Sequence, residues 1–497
     1  MNRAFAIACF AVAVVCHASA QSERLPRSST AALTHVRVID GTGTPEIDDQ
    51  TIVIDNGRIR AVGPSATARV PAGADIRDLR GHTVMPGLVG MHEHLFYQLE
   101  PPGSGAYAVL AQTAFAKLYL AAGVTTIRTA GTVDFDGDAR LKKRIDEGVV
   151  PGPKVHLTSP YLQGTTRQPD PEGIARIVER YADSGATSFK AHTLLRAAEL
   201  KAVITAAHNR GLHVTGHLCA VGFREAAALG IDNIEHGLPF DTELYSGKER
   251  DQCPNQSAVF MEINRLDVGD SAIREVIGDL VRHGVAVTST LAVLESYTGD
   301  QSFDPRVRPM LAPRLRDTYD AAAGAGKDRN APVNRMFAAT LRTEMAFERA
   351  FVAAGGKLLA GVDPTGWGGV LAGFGDQREV ELLVEAGFRP EQAIEIATSN
   401  GARFLAEREI GTIAPGMQAD LFVVAGDPAR TIADVRKVEM VFKDGRAYDP
   451  AVLLAEAEGT VGAFELQQFM TWKWFGIAGV LSALIANRVI RRRHARS

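Results

Sequence analysis

Short runs of alternating apolar and polar residues mark two separate margins of the chain. Between residues 35 and 84 the runs HVRVID, QTIVID, RIRAVG and ADIRDL alternate, and Asn56-Gly57 lies between two of them as a tight-turn signal. Near the other end, ADLFVVAGD and VEMVFKDGRAY repeat the pattern around Asp444-Gly445. These patterns predict strands. We expect residues 21–84 and 404–450 to form one small composite β-sandwich domain made from both chain ends.

Between these margins, short apolar runs that end in polar or glycine residues alternate with helical patterns. The runs are AGVTTIRTAG, KVHLTS, ATSFKAHT, LHVTGH, DNIEHG, VAVTST and KLLAGVD. With the strand that ends at His94 they number about eight, which predicts a (β/α)8 TIM-like barrel over residues 85–403. Residues 241–280 and 295–345 are long excursions from this repeat, and we expect them to form lids or substrate walls.

Both ends of the chain have the pattern of targeting segments. Arg3, a short apolar run and Ala18-Ser19-Ala20 predict a signal peptide over residues 1–20, with an uncleaved anchor as the alternative. At the other end, WFGIAGVLSALIANRVI predicts a transmembrane helix over residues 472–490, after a linker at 451–471. The alternative is an amphipathic helix on the membrane or on the body. A basic cytoplasmic tail, 491–497, would follow, so we expect an exported periplasmic or extracellular body that is anchored to the membrane.

Composition and charge narrow the class of protein. The chain has 497 residues, of which 46% are hydrophobic and 23% charged, which excludes a disordered or disulfide-stapled protein. It has 54 Lys and Arg against 58 Asp and Glu. Because several of the basic residues lie at the chain ends, the body is acidic, which argues against a nucleic-acid partner. A homo-oligomer is left open, as is a disulfide between Cys219 and Cys253, the cysteines outside the leader.

Residues that can bind metal ions or take part in catalysis lie at the ends of the predicted barrel strands. His92 and His94 end the first of these strands, and residues i and i+2 of a strand face the same way, so both imidazoles can reach one metal ion. Lys190, His217, His236 and Asp363 come at the ends of later strands. Any one of these histidines could be a core residue, but their shared position predicts a metal site.

These motifs resemble those of the amidohydrolase superfamily. The carrying residues are PGLVGMHEH at 86–94, SFKAH at 188–192, AAHNRGLHVTGH at 206–217, IDNIEHG at 231–237, GVDPTG at 361–366 and IGTIAPGMQADLFVV at 410–424. The similar branch contains imidazolonepropionase-like enzymes, metal-dependent prolidases and carboxypeptidases, and ochratoxinase, and the similarity spans roughly residues 33–450. One position departs from the family pattern, which usually has Asp two residues before the first metal histidine. Here that residue is Gly90, and we expect a local rearrangement.

The resemblance implies a ligand set for two divalent metal ions, of which Zn fits the nitrogen and oxygen donors best. His92 and His94 would hold the first ion and His217 and His236 the second. Lys190 would bridge them as a carbamate formed with CO2, and Asp363 would be a ligand and the catalytic proton shuttle. The alternative is a single-metal site like that of imidazolonepropionase, in which Lys190 plays no bridging part.

The expected function is that of a metal-dependent hydrolase of amide-type C–N bonds in small molecules, peptide-like or N-acylated amino acids among them. A metal-activated hydroxide would attack the carbonyl, and Asp363 would pass the proton to the leaving group. Lactones, esters and organophosphates are alternative substrates of the same centre. A catalytically inactive metal-binding membrane protein is the alternative from another class. Candidate substrate-binding residues are Tyr97, Tyr161, His192 and Thr290.

Overall fold

The computed structural model describes residues 30–98, 108–163, 170–299, 304–325, 330–364 and 370–463. Its strands are β1 (Ala31–Val38), β2 (Ile47–Asp55), β3 (Arg58–Pro64), β4 (Asp75–Asp78), β5 (His82–Pro86), β6 (Leu88–Glu93), β7 (Phe96–Gln98), β8 (Ala108–Leu110), β9 (Val124–Thr129), β10 (Lys154–His156), β11 (Ser188–Ala191), β12 (His213–Gly216), β13 (Asn233–Glu235), β14 (Ala286–Ser289), β15 (Lys357–Ala360), β16 (Leu421–Ala425), β17 (Val438–Lys443) and β18 (Arg446–Tyr448).

The α-helices of the same ranges are α1 (Gln112–Ala121), α2 (Phe135–Asp146), α3 (Pro171–Asp183), α4 (Ala197–Asn209), α5 (Phe223–Leu229), α6 (Gln256–Ile263), α7 (Ser271–His283), α8 (Leu291–Glu295), α9 (Val307–Met310), α10 (Pro313–Ala325), α11 (Pro332–Ala353), α12 (Phe374–Glu385), α13 (Pro390–Glu395), α14 (Gly401–Phe404) and α15 (Pro450–Ala457).

Eight parallel strands form a closed barrel. Strands β6, β9 and β10 make one ladder, and β11 to β15 make a second, in that order. A parallel bridge between Thr158 and Ser188 joins the two ladders on one side. On the other side the backbone N–H of Asp363 donates to the carbonyl of His92 at 2.9 Å. In a parallel barrel the carboxyl ends of all strands meet at one rim, so the residues that follow these strands can share one site.

Strands from both margins of the chain form a second sheet beside the barrel. Its order is β18-β17-β16-β5-β1-β2-β3, with β4 paired to β1. Strand β5 pairs in parallel with β1 and antiparallel with β16, so the two margins meet at β5. Asn56-Gly57 and Asp444-Gly445 make the expected tight turns, with positive φ at all four residues.

The two long excursions, residues 241–280 and 295–345, contain more helix than the sequence predicted. The first contains α6 and most of α7, and the second contains α9, α10 and most of the 22-residue helix α11. A disulfide between Cys219 and Cys253 ties the first excursion to the loop that follows β12, with the two Cα atoms 4.9 Å apart. The pairing that the sequence left open is therefore present.

The expectation of a membrane anchor is corrected here. Across residues 30–463, apart from the short gaps given above, the structure contains no helix long and apolar enough to cross a membrane. The segment 472–490, to which the sequence assigned the span, lies outside the described residues, as do the signal peptide at 1–20 and the tail at 491–497. The described residues therefore give no support to the predicted transmembrane helix or to the membrane-anchored location.

Candidate metal centre

His92, His94 and Asp363 meet at the carboxyl-end rim of the barrel. A ligand atom from each side chain lies within 4.8 Å of the other two. The His94 Nε2 atom is 3.1 Å from Asp363 Oδ1, and the His92 Nε2 atom is 3.9 Å from it. Both histidines are 2% exposed. Asp363 lies three residues after β15 and has a φ of 52°, which is a left-handed backbone conformation.

The hydrogen bonds of the two imidazoles determine which ring nitrogen carries a lone pair. His92 Nδ1 lies 2.7 Å from Glu235 Oε2, and His94 Nδ1 lies 3.3 Å from the carbonyl oxygen of Gly131. Because a carboxylate and a carbonyl only accept, each Nδ1 carries the hydrogen and each Nε2 has a free lone pair. These lone pairs face Asp363 Oδ1, a buried oxygen with no hydrogen-bond partner. Electron-rich atoms that converge in this way fit a metal cation between them.

Lys190, His217 and His236 continue the same rim. The His236 ring is 4.4 Å from the His92 ring and 4.6 Å from the His217 ring, centroid to centroid. His236 Nδ1 lies 2.8 Å from Thr290 Oγ1, while its Nε2 is buried without a hydrogen-bond partner, as is Lys190 Nζ. Two more unsatisfied nitrogen atoms thus lie beside the first cluster.

Burial sets the protonation of these nitrogen bases. Burial, and then the nearby Lys190 charge, lower the pKa of His92 to about 4. Burial also lowers the pKa of Lys190 to about 8, against the attraction of Glu235. For His217 and His236 burial, followed by neighbouring positive charge, holds the pKa well below the usual value. Neutral imidazoles are the form that binds metals.

A buried ion pair beneath the rim was not anticipated from the sequence. The Arg128 guanidinium donates to Glu235 Oε1 at 2.8 Å, to Asn233 Oδ1 at 2.9 Å and to the Met91 carbonyl. Burial alone would raise the pKa of Glu235, but the charges of Lys190 and Arg128 and the hydrogen bond from His92 hold that pKa well below the usual range. Glu235 is therefore an anion that orients His92. The available signal was a charged residue in each of two short predicted strands, VTTIRT and NIE.

The candidate substrate-binding residues divide into two groups. The Tyr161 ring lies 6.3 Å from His94 and 5.0 Å from His192, which in turn lies 5.2 Å from His217. Thr290 contacts His236, as described above. Tyr97, by contrast, is 4% exposed and packs against Phe115 in the hydrophobic core. The structure brings Tyr161, His192 and Thr290 to the candidate centre but turns Tyr97 away from it.

An aromatic wall adjoins the centre and was also not anticipated. It consists of four residues from different elements: Phe240, Phe260, Tyr297 and Phe337. The Phe240 ring is 4.9 Å from His217 and 5.0 Å from His236. No periodic signal marks these residues, because they come together only when the two excursions fold over the rim.

Comparison with known proteins agrees with this architecture. The family model described as "Amidohydrolase family" matches residues 83–448. An enamidase of Eubacterium barkeri is 35% identical over 95 residues, which are 19% of this chain and 23% of that protein. An imidazolonepropionase of Arthrobacter is 36% identical over 108 residues, 21% of this chain and 25% of that protein. The chain thus aligns with about a quarter of the length of each of these curated relatives.

Solved structures extend the likeness over the whole fold. The crystal structure of a Xaa-Pro dipeptidase with bound methionine covers 85% of this chain and 100% of its own, with a TM-score of 0.63 and 21% identity. At that identity the likeness concerns the fold alone. Since the family model matches most of the sequence, the chain belongs to the Amidohydrolase family, a family of hydrolases acting on C–N bonds that generally bind divalent metal ions. The His92, His94 and Asp363 cluster is consistent with that membership.

Proposed function

We propose that this protein is a metal-dependent hydrolase that cleaves amide C–N bonds in small peptide-like or N-acylated amino acid substrates. The observation that carries the proposal is the convergence of two imidazole lone pairs on the unsatisfied oxygen of Asp363. Such an arrangement is electrostatically unfavourable unless a cation lies within it. The named activities of the relatives, an enamidase and an imidazolonepropionase, support the choice of C–N bonds.

In this proposal the site holds two divalent cations, most suitably Zn. His92, His94 and Asp363 would hold the first cation, and His217 and His236 would hold the second. Lys190 would supply ligand oxygens between them as a carbamate, which forms when the deprotonated Nζ adds to the carbon of CO2 and releases one proton. The side chain is fully buried and its Nζ has no hydrogen-bond partner, which suits an amine that forms such a bond. When bound, the cations lower the pKa of water and polarise the substrate carbonyl.

The side chains of the chain itself have distinct parts in this reaction. Asp363 accepts the proton from the attacking water and delivers it to the leaving nitrogen. Glu235 holds His92 in one tautomer, and Thr290 orients His236, so that both Nε2 atoms face inward. His192 and Tyr161 lie beside the centre, where they can donate hydrogen bonds to the substrate.

The test is the metal content of the full chain after loading with Zn and bicarbonate. We expect two metal ions per chain, falling to one or none in Lys190→Ala, with hydrolysis of at least one substrate in a panel of N-acyl amino acids, dipeptides and lactones. Lys201→Ala, an exposed lysine on α4, is the matched control and should keep both ions. One ion that is insensitive to Lys190→Ala would replace the two-metal site by the single-metal alternative. No bound metal would overturn the proposal.

A further inference from the structure

The aromatic wall is held in place against the candidate centre by helix α11. Phe240 follows His236 by four residues, after a turn at Gly237, whose φ is 74°. A Cβ atom at Gly237 would collide with Glu344 Oε1, and the next N–H, that of Leu238, donates to Glu344 Oε2 at 2.8 Å. Glu344 belongs to α11, so this helix sets the direction in which the chain leaves His236 and thereby places the Phe240 ring.

The same helix contributes a second ring to the wall. Phe337 lies two turns before Glu344 on α11, and its ring is 4.7 Å from Tyr297 and 5.6 Å from Phe260. Phe260 is in turn 5.3 Å from Phe240. All four rings are therefore linked by contacts of the spacing that aromatic pairs prefer.

The wall faces the reacting end of the barrel. Phe240 contacts the rings of both His217 and His236. Burial, and then the negative charge of Asp363, raise the pKa of the Tyr297 phenol, so Tyr297 lies within electrostatic reach of that carboxylate. Phe240, Phe337 and Tyr297 are half-buried, whereas Phe260 supports them from behind with 5% exposure. The wall thus presents uncharged ring surface beside the candidate catalytic groups.

We infer that this wall is the specificity subsite of the enzyme and that it binds an aromatic side group of the substrate, next to the amide that is cleaved. The inference rests on the proposed function and names the substrate class. Burial of a phenyl ring against such a surface corresponds to a preference of roughly tenfold to a hundredfold over a methyl group. Stacking on Phe240 would place the substrate ring beside His217 and His236. The ring would then lie close to the amide bond whose leaving nitrogen receives a proton from Asp363.

The experiment compares matched substrate pairs on the full chain loaded with Zn and bicarbonate. The pairs are N-acetyl-L-phenylalanine with N-acetyl-L-alanine, and N-benzoylglycine with N-acetylglycine, which test the two sides of the amide. We expect kcat/KM to favour the aromatic member of at least one pair by about tenfold or more. Phe240→Leu and, independently, Phe337→Leu should reduce that ratio severalfold through KM while metal content stays constant. Phe135→Leu, at an aromatic residue that packs on Tyr181 and does not belong to the wall, should leave the ratio unchanged.

Binding measurements separate failure of the subsite from failure of the hydrolase. If neither pair is hydrolysed, calorimetric titration with the same four compounds decides: tighter binding of an aromatic member that is lost in Phe240→Leu upholds the subsite, and equal or absent binding overturns it. If the pairs are hydrolysed with equal kcat/KM in wild type, the hydrolase stands and the aromatic subsite is wrong. A preference that persists in both leucine variants would also overturn it.

Discussion

The carboxylate of Glu93 occupies the space that a side chain at Gly90 would need. A Cβ atom at residue 90 would lie 2.6 Å from Glu93 Oε1 and 2.8 Å from its Cδ. The other oxygen, Oε2, accepts from the Tyr119 hydroxyl at 2.8 Å, and that hydroxyl is also 3.0 Å from the carbonyl oxygen of His94. A carboxylate from three residues later in the same strand therefore fills the space beside Gly90.

This relationship predicts strong coupling between the two positions. Gly90→Asp alone should destabilise the protein, because the new side chain collides with Glu93. Glu93→Ala alone should also destabilise it, since it leaves a gap beside Tyr119. In the double variant the aspartate enters the vacated space, and we expect a coupling free energy of about 1–3 kcal/mol in chemical denaturation. Gly63→Asp, at a glycine with no atom near its absent Cβ, is the control and should change stability little. Additive effects would contradict this interpretation.

Thr290 should control metal affinity through His236. Its hydroxyl is 2.8 Å from His236 Nδ1, so Thr290→Val removes the contact that orients the ring. We expect Zn affinity to fall by about tenfold to a hundredfold, as is typical for groups that support a ligand, measured by competition with a chromophoric chelator. Thr205→Val, on the exposed face of α4, is the matched control. Unchanged affinity in Thr290→Val would show that His236 is positioned by packing alone.

The disulfide between Cys219 and Cys253 should stabilise the rim loop after His217. It closes a segment with a sequence separation of 34 residues, and Cys253 is exposed and open to reductants. We expect Cys253→Ser to lower the free energy of unfolding by roughly 2–4 kcal/mol. Reduction of the wild-type protein should lower its stability to the same level in urea denaturation. A reductant-insensitive wild type that matches Cys253→Ser would mean that the bond does not form.

Asp241 should make stability depend on pH near neutrality. Burial, followed by the charge of Glu243, raises the pKa of Asp241 to about 7 from an ordinary value near 3.8. A raised folded-state pKa contributes stability below the unfolded value that is lost as pH rises through the folded one. Asp241→Asn keeps the oxygen that accepts from the Phe223 N–H at 3.1 Å. We expect this variant to exceed wild type in stability at pH 8 and to lose that advantage by pH 4, in denaturation series.

Glu407 provides the opposite case for comparison. The adjacent His156 and Lys154 lower the pKa of Glu407 to about 2, against burial. Its stabilising contribution is present above the ordinary value of 4.5 and is lost as pH falls through about 2. In Glu407→Gln the stability deficit relative to wild type should shrink between pH 5 and pH 2. Relative to wild type, Asp241→Asn should gain stability as pH rises, whereas Glu407→Gln should lose it. If both variants changed in the same direction, the causes given for the two pKa shifts would be wrong.

The strand-end residues were predictable because they follow from local rules. Alternation along β6 places His92 and His94 on one face, and the parallel order of the barrel brings Lys190, His217 and His236 to the same rim. The Tyr97 ring packs against Phe115 in the core, since β7 pairs with β8, and the strand-end pattern does not predict this contact.

Other features depend on contacts between distant segments. The Arg128–Glu235 pair needs two strands to lie across the barrel interior from one another, which hydrophobic patterning does not specify. The rings of Phe240, Phe337 and Tyr297 meet only through the packing of α11. Most of α11 lies within residues 295–345, where the sequence predicted a lid or a substrate wall and no helix. The position of the aromatic wall was therefore not predictable from the sequence.

The position of β5 has a consequence for the order in which the protein is built. Its partner β16 follows all the barrel strands in the sequence. During synthesis one edge of β5 therefore remains unpaired for on the order of tens of seconds, until β16 has been made. Until then the nascent protein exposes a strand edge that can pair with another copy. Ribosome-bound chains that stop before Leu421 should therefore depend on chaperones far more than chains that extend past Tyr448.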